Sequence, residues 1–190
     1  MNFLAHLYLA DPDPQSWIGN LLPDLCKPWQ WQHLSAGYQR GALRHQRVDR
    51  LTDRHPLFIT LKETVSTERR RFAGIILDVC LDHYLASHWE DHHHLSLEAF
   101  VLTLEPHFLN PPRQLPEPTR TILKRMMQQQ WLQSYNHVDG VAQAFNGLSR
   151  RMRFSNSLIG AEQELIRQRD LWLPSFKTIL IDVETQLADF

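Results

Sequence analysis

Little in this sequence could staple the chain or anchor it in a membrane. Only 2 cysteines occur in 190 residues, Cys26 and Cys80, far apart and outside any C-x-x-C pattern. That excludes a disulfide framework and a Cys-rich zinc site, and it makes the reducing cytoplasm the expected compartment. No run approaches the roughly 18 apolar residues of a membrane span, so no membrane role is expected. The opening MNFLAHLYLADPDP has no basic flank and soon meets acids and prolines. It makes a poor secretion signal and reads as a short core helix. An excess of either charge is also missing. The net charge is −1, which argues against nucleic acid as a partner. Glycine is sparse, at 7 positions, and no repeat or low-complexity tract is visible. With 43% hydrophobic and 22% charged residues, the chain is expected to form a single globular domain over residues 1–190. Common catalytic signatures are absent: there is no P-loop, G-x-G-x-x-G, G-x-S-x-G or H-E-x-x-H. The Glu-x-x-His repeats of di-iron bundles are absent too.

What the chain does have is 11 histidines, 6 tryptophans and 11 prolines. Period-2 strand patterns are scarce, and the chain reads as all-α. Pro12 and Pro14 end a first helix, and a short second one runs from Ser16 to about Leu22. Pro23 and Pro28 bracket a turn that presents Asp24. Helices are predicted over 35–53, from Pro56 to about Val65, and over 69–89, the last apolar on most faces and so buried. Ser96 can cap a helix to about Phe108. Residues 110–118 form a loop, and helices follow over 118–133, 138–151 and 157–188, with Pro174 expected to break or kink the last.

Three groups of residues could carry chemistry. In His45-Gln-Arg-Val-Asp49, an imidazole and a carboxylate stand i,i+4 on one helix face, a spacing that serves a divalent ion or a simple ion pair. In Asp78-Val-Cys-Leu-Asp82-His83, two carboxylates share a face of an otherwise apolar helix. Buried carboxylates need a metal, a proton or a cationic partner, and arginines from the preceding helix are the alternative to a metal. Asp78 and His83 differ by about 140° in direction, so they need not meet one ion. Third come Asn2, His6, Asn20 and Asp24, polar residues in apolar surroundings. Asn2 could simply cap a helix and His6 could be a satisfied core histidine, whereas Asp24 is the best candidate among them. His88 follows the Asp/His helix closely. The run His92-His93-His94 reads as a solvated loop. Mixed Asp/His ligands suit Mn, Mg, Fe or Zn, for which phosphoester hydrolysis is the natural chemistry. Between Arg71 and Arg113 there is no Lys or Arg, while Arg40, Arg44, Arg47, Arg50, Arg54, Arg69, Arg70 and Arg71 lie just before. This is either a cation site beside an anion-binding face or a set of solvated helix surfaces.

Five segments together resemble a known family: MNFLAHLYLA, GNLLPD at 19–24, HQRVDRLTDRHP at 45–56, RRFAGIILDVCLDHYLASHW at 70–89 and FNGLSRRMR at 145–153. They are similar to the acyl carrier protein phosphodiesterase family, and most densely so over the first 90 residues. The resemblance implies a single HD-domain-like helical bundle of about seven to nine helices. It implies a metal-dependent phosphodiesterase that releases 4′-phosphopantetheine from a serine of holo-acyl carrier protein. Mn²⁺ is the implied cofactor, with Mg²⁺ or Fe²⁺ as alternatives. The resemblance gives Asp24, His45, Asp49, Asp78, Asp82 and His83 metal-site or catalytic roles. His45, Asp49 and Asp78 are taken as ligands, and Asp24, Asp82 and His83 as catalytic. Arg44, Arg47, Arg70 and Arg71 are candidates for the phosphate and the acidic carrier, with His88 close by. The order Asp82-His83 reverses the His-Asp dyad of ordinary HD proteins. The rival readings are a phosphohydrolase acting on a nucleotide or another small phosphoester, and an inactive helical binding module.

Overall fold

The chain folds into helices joined by short connections. The computed structural model describes residues 1–188, and no strand occurs among them. The helices are α1 (Phe3–Tyr8), α2 (Pro14–Leu25), α3 (Pro28–Trp31), α4 (Ala36–Arg54), α5 (Pro56–Thr64), α6 (Ala73–Ser87), α7 (Leu97–Leu109), α8 (Glu117–Gln128), α9 (Trp131–Ser134), α10 (Val138–Arg151) and α11 (Glu162–Leu187). Two 3₁₀ turns, Arg70–Phe72 and Trp89–Asp91, flank α6. The all-α expectation holds. The described helices are two more than the sequence predicts: α3 forms after Pro28, and the predicted 118–133 helix breaks at Gln130, whose φ of 52° is left-handed, and resumes as α9.

Helix α6 is the axis of the core. Ile76, Leu77, Cys80, Leu81 and Leu85 are fully buried, and the helix packs against α1, α5, α10 and α11. That explains its near-continuous apolar sequence, since a helix covered all round has no polar face to keep. Around it lie Phe58, Phe145, Trp172 and Phe176, all inaccessible to solvent.

Two prolines behave differently from their sequence reading. Pro23 opens no turn, because α2 runs through it to Leu25, and the Cys26 N–H still bonds the Leu22 carbonyl at 2.9 Å. Only one hydrogen bond is forfeited so near the helix end, so Asp24 stands in a last helical turn. Pro174 neither breaks nor ends α11, which is assigned as one helix through it. Trp172, Phe176, Ile179, Leu180 and Val183 bury the same helix on both sides of the proline, and this packing outweighs the lost bond. The predicted start at 157 gives way to a turn with Gly160 at φ 81°.

Helices α2 and α4 are brought together by glycine. A Cβ on Gly41 would lie 2.7 Å from the Ser16 carbonyl oxygen and 2.8 Å from the Gly19 Cα. This contact seats Asn20 against His45. Gly41→Ala must therefore push two backbones apart. We expect a loss of about 1–3 kcal/mol, or roughly 2–12 °C in Tm for a chain of this size, read by thermal melting. A variant that melts with the parent would show the contact to be compliant.

Candidate metal centre

His45 and Asp49 stand one turn apart on α4, with His45 Nε2 at 3.0 Å from Asp49 Oδ2. The ring is held from behind by the Asn20 carbonyl, 2.6 Å from Nδ1. A carbonyl only accepts, so Nδ1 carries the hydrogen and Nε2 faces the carboxylate. That is the orientation of a metal-ligating histidine whose other nitrogen is fixed by a backbone acceptor.

The third member comes from α1. His6 is fully buried, and its ring stacks on His45 at 3.7 Å with 14° between planes. His6 Nε2 is 3.1 Å from Asp49 Oδ1, but the contact lacks the alignment of a hydrogen bond, and neither ring nitrogen has a hydrogen-bond partner. A buried imidazole with two unpartnered nitrogens is costly unless its lone pair meets a cation. Among the described residues, His6, His45 and Asp49 form a group whose ligand atoms all lie within 4.8 Å of one another. Two imidazoles and a carboxylate fit a borderline divalent ion. Burial and the neighbouring His45 bring the His6 pKa down to about 3, so its lone pair is available at neutral pH. Burial also opposes charge on His45, but the hydrogen bond to Asp49 and the charge of Asp24 raise its pKa above the ordinary value. Burial would raise the Asp49 pKa, yet His45, His6 and the Met1 ammonium hold it far below the carboxylate range.

Two further acids border the cluster. Asp24 Oδ1 lies 3.7 Å from His45 Nε2, and burial raises its pKa against the pull of His45. Asp78 meets Asp49 across a cation: the Met1 ammonium is 3.1 Å from an oxygen of each. Burial works against that ammonium, but Asp78 and Asp49 prevail and raise its pKa to about 11. The arginine pairing considered for the buried acids is not what Asp78 uses.

Other sequence candidates lie apart from this cluster. Asp82 is inaccessible to solvent, and its two oxygens accept the N–H groups of Leu4 at 2.8 Å and Ala5 at 3.0 Å. Burial pushes its pKa up to about 7 against those two bonds. It caps α1 from another helix, where Asn2 makes no side-chain cap. His83 turns its Nδ1 to the Tyr135 carbonyl at 2.7 Å, and burial lowers its pKa. Arg44 donates to the Leu9 carbonyl and pairs with Asp11 at 3.5 Å. Arg47 has a buried Nε without a partner. Arg70 donates to the Val65 carbonyl at 2.8 Å, and Arg71 lies over the rings of Phe72 and Phe154. His88 stacks on Tyr84 at 4.7 Å. In the sequence, His6 reads chiefly as a core histidine and takes no site role, and Arg151 is not singled out. His6 sits alone in an apolar helix with no i,i+4 partner. Arg151 is near enough to Asp24 to pull that carboxyl's pKa down against burial.

The fold and cluster define a helical protein in which two histidines and one carboxylate lie close enough to share a divalent cation, bordered by two more acids. Residues 1–183 match the family model described as acyl carrier protein phosphodiesterase, and the chain belongs to that family. A protein of that name from Photorhabdus laumondii is 35% identical over 170 residues, 87% of this chain and 84% of its own. One from Yersinia pestis is 30% identical over 185 residues, 95% of this chain and 96% of its own. No solved structure matches the chain. No helix among the described residues is long and apolar enough to cross a membrane.

Proposed function

We propose that this protein hydrolyses the phosphodiester joining 4′-phosphopantetheine to a serine of holo-acyl carrier protein, in the cytoplasm, with a divalent ion of the Mn²⁺ type held by His6, His45 and Asp49. The observation that carries this reading is the convergence of two stacked imidazoles on one carboxylate in a chain of this family. When bound, such an ion supplies Lewis acidity toward the phosphoryl oxygens and acidifies water. The chain's own groups do the rest. Asp24, its carboxyl pKa raised by burial, receives the proton of the attacking water. Water adds to phosphorus, the bond from phosphorus to the serine oxygen breaks, and that oxygen takes a proton from solvent while Asp24 later returns its own to solvent. Asn20 fixes the His45 ring through its carbonyl.

Incubating holo-acyl carrier protein with the purified protein and Mn²⁺ should convert the carrier to the mass of its apo form. Exhaustive chelation should stop the conversion. Below its raised pKa, His45 is protonated and competes with the ion, so Mn²⁺ affinity should fall as pH drops through that value. Calorimetry in buffers of different ionisation enthalpy reads the displaced proton. No change of carrier mass overturns the reaction. Full turnover after chelation overturns the metal.

A further inference from the structure

A cavity of about 420 Å³ opens between α8, α9, α10 and the start of α1. Its size falls within the roughly 300–1,000 Å³ range of small-molecule sites. Along the chain it comes within one residue of the acid cluster. Asn2 lines it, next to the Met1 whose ammonium touches Asp49 and Asp78. Arg151 lines it too.

The walls are built for a long, amphipathic guest. Trp131 and Leu148 give it apolar surface, Gln143 offers a carboxamide, and Arg125 and Arg151 supply two guanidiniums. The backbone is bent to make this shape. Gln130 takes the left-handed conformation, at φ 52°, on the residue before Trp131. Such a conformation costs a non-glycine residue about 1–2 kcal/mol, and strain of this kind gathers at ligand sites. Gly140 lets α10 come down on α9, where a Cβ would lie 1.9 Å from the Ser134 carbonyl oxygen. Gly147, two turns further, has nothing within 4 Å of where its Cβ would be, so the wall is open there.

We propose that this cavity receives the pantetheine arm of the substrate, an assignment that rests on the proposed function. The arm has a branched apolar carbon centre, two amides in series and a phosphate at one end. Apolar walls with a carboxamide suit its length. The two guanidiniums suit the phosphate end and leave it beside the acid cluster, where the bond to be cut must lie. A bare acyl chain would leave both the guanidiniums and the carboxamide unused.

Gly147 gives a clean test because it is exposed and a Cβ there meets no neighbour within 4 Å. Gly147→Trp should fill the cavity from its open side, and Gly147→Ala should not. By calorimetry, pantetheine should bind the parent and Gly147→Ala, and Gly147→Trp should weaken it by at least about tenfold. On holo-acyl carrier protein, kcat/KM of Gly147→Trp should fall at least about tenfold more than on bis(p-nitrophenyl) phosphate, which has no arm. Arg151→Gln, a second variant, should weaken 4′-phosphopantetheine more than pantetheine. Unaltered pantetheine binding in Gly147→Trp overturns the assignment, as does equal loss on the two phosphodiesters. A parent that binds pantetheine but leaves holo-carrier intact keeps the cavity and sinks the reaction. A parent that cleaves holo-carrier but binds no pantetheine sinks the cavity alone. AMP binding that displaces pantetheine and is lost in Gly147→Trp transfers the cavity to nucleotides and overturns the assignment.

Discussion

Asp49→Ala is expected to cut turnover of holo-acyl carrier protein by about a thousandfold or more, since a divalent ion contributes several kcal/mol of transition-state stabilisation. Asp49 is the hub of the cluster. One oxygen faces His45 Nε2 at 3.0 Å, and the other faces both His6 Nε2 and the Met1 ammonium at 3.1 Å. Removing it leaves two neutral-capable imidazoles and no charged ligand. The helical fold should survive, because the Asp49 side chain is 39% exposed and the Met1 ammonium keeps its partner Asp78. Mn²⁺ affinity by calorimetry and turnover by intact mass should fall together. His6→Ala should follow the same course if His6 is a ligand. A core histidine would behave otherwise: its loss would lower the melting temperature and leave Mn²⁺ affinity alone. Turnover of Asp49→Ala within tenfold of the parent would remove the cluster from the reaction.

The sequence carried much of this site, and its gaps have physical reasons. The pair His45 and Asp49 was legible because i,i+4 spacing on one helix guarantees proximity, and the two atoms do lie 3.0 Å apart. The other members are joined across the chain, where spacing says nothing. His6 comes from α1 and reaches Asp49 only because α1 docks on α6 and α2. Asp78 and Asp82 share a spacing and a helix but part in role. One meets a cation beside Asp49, while the other ends on two backbone N–H groups. A one-dimensional pattern cannot tell a carboxylate facing an ion from one facing a helix end, because both are bare acids on an apolar face. The prolines mark a similar limit. Their lost hydrogen bond is local and legible, whereas the burial of Trp172 and Phe176 that keeps α11 whole is not. The helix content was legible because period-2 strand patterns are scarce and prolines mark the ends of several helical stretches. The break at Gln130 was not, since nothing in Gln-Gln-Gln signals a left-handed residue.

Asp82→Ala separates a structural acid from a catalytic one, and it should act mainly on stability. The carboxylate holds the N–H groups of Leu4 and Ala5, two of the unpaired donors that open α1. Alanine leaves both buried without acceptors, at about 1–3 kcal/mol each. Part of that is returned, because burial already pushes the Asp82 pKa up to about 7 and disfavours its charge. A net loss of roughly 2–4 kcal/mol remains, or about 5–15 °C in Tm. The sign of the pH dependence follows from the same group. A carboxyl whose folded pKa lies above its unfolded value favours folding most when protonated. Its contribution is full below about pH 4 and is lost as pH rises through about 7. The parent's stability should therefore carry a downward component over that window which Asp82→Ala lacks. Asp82→Asn, neutral but still able to accept one N–H, should recover part of the melting temperature. Because α1 carries His6, loosening it should also weaken Mn²⁺ binding, and Asp82→Asn should restore that affinity in step with stability. A catalytic Asp82 would give the opposite pattern: both variants stable, both binding Mn²⁺ normally, and both inactive.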